Sequence, residues 1–247
     1  MSQLLKESIL SKLDTLFNEL IVVRTNDAEL KKQKVIASDL SIENWDWSQG
    51  VGIYGIWRLY HITREPRYLA YLNGWFSRRM AEGLPEKNIN RMAPMLTATC
   101  MAMESGETAW QADIAEYADW IDTRLLRTQE NGFTHCTSDH LNEEQLWVDT
   151  LFMSGLFHAK ASLLLDKPRY MDEVAYQSLL PYKHLIDRRT GSWLHGSSLI
   201  DPNNYGEALW GPGHGLPPAG SGDFLWLVEV GTGTSRFLRS GVCLPSP

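Results

Sequence analysis

Apolar residues recur at helical spacing through most of the first 185 positions, and this pattern predicts an all-α protein. An amphipathic helix is predicted over 2–22 from the spacing of Leu4, Leu5, Ile9, Leu13, Leu16, Phe17 and Leu20. A polar connector at 24–46 follows, and then the apolar segment GVGIYGIWRLYHIT, the turn REPRY and the segment YLAYLNGWFSRRM. Because proline suits the first turn of a helix and cannot continue the preceding one, these segments predict a helix hairpin over 48–82.

The same unit returns further along the chain. LFMSGLFHAKASLLL, DKPRY and MDEVAYQSLLPYKHLI predict a hairpin near 146–184, in which Pro-Arg-Tyr at 168–170 repeats the triplet at 66–68. A looser copy falls near 91–127. Hairpins that repeat every few tens of residues are typical of a solenoid or a closed ring. We therefore predict an (α/α) toroid in preference to an irregular helical bundle.

Two polar stretches, 128–145 and 187–210, interrupt the helical pattern. Each contains a short run of β-like character that ends in a histidine: 132–135 ends in His135, and 192–195 ends in His195. Long loops in a compact helical domain are usually functional. We expect both loops on the same side of the ring.

Composition narrows the classes of function. The net charge of −7 argues against a nucleic-acid partner but allows an anionic small substrate to bind at a local cation. Three cysteines do not form a disulfide framework, and charges interrupt the N-terminal apolar residues, so neither a signal peptide nor a membrane span is predicted. These features predict a cytoplasmic protein with no membrane partner. The ten tryptophans have two open interpretations, core packing and stacking on sugar rings.

Asp149, in the segment LWVDTLFM at 146–153, is the leading candidate for chemistry. One interpretation is structural, since a carboxylate near a helix N-terminus satisfies free backbone N–H groups. The other places Asp149 at the mouth of the ring beside Trp147, where apolar neighbours favour the neutral carboxyl that a general acid needs. His135 and His195 are either buried structural residues or part of that site. The grouping of His135 with His140 and two following glutamates fits no standard zinc spacing, and no metal is predicted.

Several motifs occur in the order found in family 105 glycoside hydrolases, the unsaturated rhamnogalacturonyl and glucuronyl hydrolases, and the chain resembles that family over roughly residues 40–211. The motifs are WDWSQGVGIYG at 45–55, NIN at 88–90, GFTH at 132–135, SDHLNE at 138–143, LWVDTLFM at 146–153, WLHG at 193–196 and EALWG at 207–211. The combination of LWVDTLFM with a later WLHG is the most specific of these.

The resemblance implies an enzyme that removes a Δ4,5-unsaturated uronic acid from the non-reducing end of a pectin-derived oligosaccharide. Such enzymes hydrate the C4=C5 double bond, and the resulting hemiketal opens and expels the remaining sugar without a cofactor. Asp149 matches the general acid/base, and Asn90 falls where some members have a second carboxylate. The implied substrate-binding positions are Trp47, Asn90, His135, Trp147, His195 and Trp210.

The sequence departs from the family pattern after EALWG. Pro212 occupies the position of an arginine that would contact the anionic substrate, and residues 212–247 are rich in glycine and proline. The resemblance implies an incomplete (α/α)6 barrel, so we predict a partial toroid domain at 1–211 and an atypical tail at 212–247, from a truncation or a shifted reading frame. We also predict little or no hydrolase activity. The alternatives are a family 88 hydrolase, a sugar 2-epimerase that uses a pair of histidines, and a non-catalytic carbohydrate-binding remnant.

Overall fold

The computed structural model describes residues 3–24, 41–106 and 108–201, and this part of the chain is predominantly helical. The helices are α1 (Gln3–Leu20), α2 (Trp47–Thr63), α3 (Pro66–Glu82), α4 (Ala93–Ser105), α5 (Gln111–Thr123), α6 (Leu156–Leu164) and α7 (Pro168–Leu185). A short 3₁₀ turn (Asn90–Met92) precedes α4, and a π-helical turn (Leu151–Gly155) precedes α6. Two short strands complete the structure, β1 (Gln145–Trp147) and β2 (Gly196–Ser198). The predicted helix hairpins are confirmed as the pairs α2–α3, α4–α5 and α6–α7.

The first helix of each hairpin belongs to an inner layer in which α2 packs on α4 and α4 packs on α6. Helices α2 and α4 run parallel, because contacts join them at both ends. A Cβ added to Gly50, near the start of α2, would lie 2.5 Å from the Cβ of Ala93. At the other end, His61 Nε2 lies 2.7 Å from Glu104 Oε2. Parallel inner helices with an outer helix after each one form the arc of an (α/α) toroid, as predicted.

The two Pro-Arg-Tyr triplets have the same structural role. Their prolines are the first residues of α3 and α7. The buried Tyr68 donates a hydrogen bond to Asp14 of α1 over 3.0 Å, and the buried Tyr170 donates one to Asp119 of α5 over 3.2 Å. Each triplet therefore joins its own hairpin to the outer helix that precedes it.

The β-like runs of the two polar loops form isolated bridges, and the paired strands lie beside them. In the described part of the chain, the runs at 132–135 and 192–195 each form a single bridge to a neighbouring segment, Phe133 to Arg127 and Trp193 to Ile186. The paired strands are β1 and β2, which are antiparallel with Gln145 opposite Ser198. Their pairing joins the two polar loops across more than 40 intervening residues and places them on the same side of the helical arc, as expected.

None of the helices in the described ranges combines the length and apolar character needed to cross a bilayer. Neither Cys100 nor Cys136 takes part in a disulfide bond within the described residues. The tail at 212–247, including Pro212, lies outside the described residues, and the domain boundary at 211 therefore stays a prediction.

Candidate active site

Asp149 lies in the turn that links β1 to the helical chain. The sequence placed it inside the first helical turn, but it immediately precedes that turn because β1 holds residues 145–147 extended. Its backbone carbonyl accepts hydrogen bonds from Phe152 N and Met153 N, both at 3.0 Å. Asp149 therefore starts the helical segment and projects from the end where the polar loops meet.

Two histidines from different loops flank the Asp149 carboxylate. His135 Nδ1 lies 3.7 Å from Oδ1, and His195 Nε2 lies 3.7 Å from Oδ2. A backbone hydrogen bond of 2.9 Å from Val148 N to His195 O holds the second loop in place. Oδ1 is buried and has no hydrogen-bond partner in the described part of the chain. The carboxylate is therefore positioned between two imidazoles, each just beyond hydrogen-bond distance.

Trp147 provides the aromatic wall of this group. Its ring stacks on His135, with centroids 5.0 Å apart and an interplanar angle of 21°, and it meets His195 edge-on at 4.5 Å. Its indole nitrogen donates to Gln145 Oε1 over 3.0 Å. The side chain of Thr150 contacts His135 from another direction, with Oγ1 2.8 Å from Nδ1. The structure thus brings together four residues that the sequence singled out, Asp149, His135, His195 and Trp147.

Burial controls the charge of His135. Removal from water lowers its pKa below the ordinary histidine value; Asp149 raises that pKa, and His195 lowers it. Since burial is the largest effect, His135 is a neutral imidazole near neutral pH, with one nitrogen that donates and one that accepts.

Trp47 and Asn90 lie at the same end of the inner helices. Trp47 is the first residue of α2, where Asp46 accepts a hydrogen bond from its backbone nitrogen. Asn90 opens the 3₁₀ turn that packs against the π-helical turn following Asp149. Asn90 Oδ1 is buried and has no hydrogen-bond partner in the described ranges, as expected of an amide available to a ligand. Trp210 lies outside the described residues.

The described part of the chain contains no group of three His, Cys, Asp or Glu side chains arranged to hold a metal ion. His140 is exposed, and the carboxylate of Glu144 accepts hydrogen bonds from Gln129 N at 3.1 and 2.9 Å. The described site combines a carboxylate, two imidazoles and an aromatic surface, and these groups can support proton transfer.

Comparison with known proteins identifies the class. A sequence model of Glycosyl Hydrolase Family 88 matches residues 21–239, and the chain belongs to this family. The match extends beyond residue 211, where the sequence analysis placed the end of the family-like part. Family membership favours a glycoside hydrolase over a sugar epimerase.

Individual relatives are consistent with the resemblance to family 105. The chain is 26% identical to the unsaturated rhamnogalacturonyl hydrolase YesR of Bacillus subtilis over 188 aligned residues. The alignment covers 75% of this chain and 55% of YesR. The chain is 33% identical to a crystal structure of a possible family 105 member from Klebsiella pneumoniae, with a TM-score of 0.83, coverage of 93% of this chain and 60% of that one. A similar protein from Salmonella enterica gives 31% identity and a TM-score of 0.81, covering 90% of this chain and 59% of that one. The chain thus spans less than two thirds of the length of these relatives.

Two buried polar residues, one in the site and one in the core, were missed from the sequence. Thr150 directly follows Asp149, but a threonine near a helix start more often caps the helix than contacts a histidine. His158 lies about two turns further along, in an apolar run that resembles ordinary core, and nothing in its spacing distinguishes it. For both residues, the contacts come from segments distant in sequence.

Proposed function

We propose that this site hydrates the C4=C5 double bond of a Δ4,5-unsaturated uronic acid at the non-reducing end of an oligosaccharide. The observation that supports it best is the Asp149 carboxylate, which is flanked by His135 and His195 at 3.7 Å and has a buried, unpartnered oxygen. A single carboxylate with an unpartnered oxygen suits a reaction in which one group first donates a proton and then accepts one.

The double bond is a vinyl ether, so the proton adds at C4 and positive charge develops at C5, next to the ring oxygen. The Asp149 carboxyl donates that proton, and the resulting carboxylate removes a proton from the water whose oxygen bonds to C5. The product is a hemiketal at C5. Breaking its bond to the ring oxygen opens the ring, C1 becomes a hemiacetal, and collapse of that hemiacetal releases the remaining sugar. The proton that Asp149 gives to C4 is replaced by the one that it takes from water, so the residue is regenerated in each cycle.

The neighbouring residues supply binding and orientation. Trp147 offers an aromatic surface of the kind that packs on sugar rings, and His135 and His195 offer ring nitrogens to ligand oxygens. Asn90 cannot titrate, so it orients substrate or water, and Asp149 is the acid/base. A rhamnogalacturonan-derived substrate is supported by the activity named for the relative YesR.

The test uses the 247-residue chain with an unsaturated rhamnogalacturonan disaccharide under single-turnover conditions. Hydration removes the conjugated double bond, so its ultraviolet absorbance reports turnover directly. Because Pro212 replaces the arginine of the family pattern, we expect slower turnover than in a relative that has this arginine. Asp149→Asn should lower the rate by a further ~10²–10⁴-fold while binding is largely retained, since the amide keeps the shape but cannot transfer a proton.

Asp166→Asn is the matched control, because Asp166 lies in the turn after α6 with a φ of 52°, a conformation that asparagine tolerates. A rate in Asp149→Asn equal to that of the control would reject the assigned role. Equal binding of saturated and unsaturated disaccharides, with no loss of absorbance, would instead support a carbohydrate-binding remnant.

A further inference from the structure

The hydroxyl group of Thr150 contacts the Nδ1 edge of the His135 ring, which is also the edge nearest to Asp149. Its Oγ1 lies 2.8 Å from His135 Nδ1, and the two residues are only 4% and 5% exposed. Trp147 stacks on the imidazole and limits rotation of the ring. The hydrogen bond is therefore shielded from water and has a fixed geometry.

The hydrogen bond between Thr150 and His135 determines the tautomer of His135. A threonine hydroxyl has a single hydrogen, and within the described ranges its only recorded hydrogen-bond partner is His135 Nδ1. If Nδ1 carried the imidazole hydrogen, the buried hydroxyl hydrogen of Thr150 would lack an acceptor, which is unfavourable. The consistent arrangement has Thr150 donating to a bare Nδ1. The hydrogen of the neutral imidazole then resides on Nε2.

This arrangement also determines how His135 interacts with Asp149. Nδ1 lies 3.7 Å from Asp149 Oδ1, which is beyond hydrogen-bond distance but close enough for a small ring movement to make a bond. A histidine with a hydrogen on Nδ1 would be drawn to the carboxylate and would occupy the oxygen that is otherwise unpartnered. By donating to Nδ1, Thr150 removes the reason for that movement.

We propose that Thr150 is a positioning residue that holds His135 as its Nε2–H tautomer, so that His135 donates to the substrate and leaves Asp149 Oδ1 free. The catalytic part of this inference rests on the proposed function, whereas the state of the histidine does not. His135 is then a hydrogen-bond donor to a ligand oxygen, such as a uronate carboxylate or a hydroxyl group.

Nuclear magnetic resonance of the ¹⁵N-histidine-labelled chain tests the tautomer directly, because protonated and bare ring nitrogens have well separated shifts. The signals of His135 are assigned by their loss in His135→Gln. In the wild type we expect Nε2 protonated and Nδ1 bare at neutral pH. In Thr150→Val, which keeps the shape but removes the hydroxyl, we expect the hydrogen to move to Nδ1. We also expect the titration midpoint of His135 to rise by about 1 pH unit or more, because the ring then pairs with Asp149.

Thr150→Ser retains a hydroxyl and should retain the wild-type tautomer. The resonances of the other six histidines report whether each variant is folded. A wild-type His135 with its hydrogen on Nδ1, or an unchanged tautomer in Thr150→Val, would overturn the proposal.

Turnover of the unsaturated disaccharide provides the second measurement. We expect Thr150→Val to lower the rate on the order of ten- to a hundredfold through misplaced groups, and Thr150→Ser to recover most of it. A loss of rate that Thr150→Ser does not recover would count against a positioning role for the hydroxyl. If no variant, including the wild type, consumes the disaccharide but the tautomer switches as expected, the proposed function fails and the role of Thr150 in fixing His135 stands.

Discussion

The free energy of unfolding is expected to fall in mildly acidic solution because of His158. Replacing His158 with leucine should remove this part of the pH dependence. His158 lies on α6 and is fully buried. The centroid of its ring lies 4.2 Å from the ring centroid of Tyr170 and 6.5 Å from that of Phe133. Neither ring nitrogen has a hydrogen-bond partner within the described part of the chain. Burial, together with nearby arginine and lysine charges, lowers the pKa of His158 from 6.5 to about 3.

The sign of the effect follows from the lowered pKa. Below pH 6.5 the unfolded chain protonates His158, whereas the folded protein keeps it neutral down to about pH 3, so the unfolded state binds more protons across this interval. The free energy of unfolding is therefore unaffected by the protonation of His158 above pH 6.5, and it decreases as the pH falls below this value. A pH of 5 is about 1.5 units below the pKa of 6.5 that His158 has in the unfolded chain. This difference corresponds to a reduction of about 2 kcal/mol in the free energy of unfolding.

Urea denaturation of the wild type and His158→Leu at pH 7.5 and pH 5.0 measures this quantity. Leucine has a similar volume and no titrating group. It removes the two buried nitrogens that lack partners, which is stabilising, but it also removes the ring contact with Tyr170, which is destabilising. The informative value is therefore the change between the two pH values, which should favour the variant by about 2 kcal/mol. His140→Gln, on an exposed loop, is the control. Equal losses of stability in wild type and His158→Leu between pH 7.5 and 5.0 would refute the reasoning.

Three other substitutions test the packing of the hairpins. Gly50→Ala should destabilise the protein by about 1–3 kcal/mol in thermal or urea unfolding, because its Cβ would lie 2.5 Å from the Cβ of Ala93. Gly55→Ala, in the same helix with nothing within 4 Å of the added Cβ, should instead be neutral or stabilising by up to about 1 kcal/mol, and equal effects at both positions would contradict this account. Tyr170→Phe should lower the free energy of unfolding by about 1 kcal/mol through loss of its hydrogen bond to Asp119, and an unchanged urea midpoint would show that this contact does not stabilise the junction.

The helical part of the fold was readable from the sequence because its determinants are local. Proline at a first helical turn and apolar spacing act within one or two turns of chain, and both Pro66 and Pro168 begin helices as predicted. The paired strands were not predicted, for the opposite reason. A three-residue strand such as β1 is defined by its partner about 50 residues away, and the local β-like character at 132–135 found only a single bridge.

The candidate site was predictable in part. The motif around Asp149 and the two loop histidines identified residues that meet in the structure, and their convergence required only that the loops share one side of the arc. The contacts of Thr150 and the isolation of His158 depend on side-chain geometry across several elements, for which the sequence contains no local signal. The assigned roles of these residues stay predictions until the variants are measured.

The Pro-Arg-Tyr triplets have a consequence for the order in which the chain assembles. Each one contacts an outer helix that is earlier in the sequence: Tyr68 reaches back to α1, and Tyr170 reaches back to α5. A hairpin leaving the ribosome therefore finds its docking partner already synthesised, and no triplet has to wait for a later segment. In repeat proteins each unit is stabilised mainly by its neighbours, so the arc can grow from its N-terminal end one hairpin at a time during translation. Each new hairpin then covers apolar surface that its predecessor had left exposed.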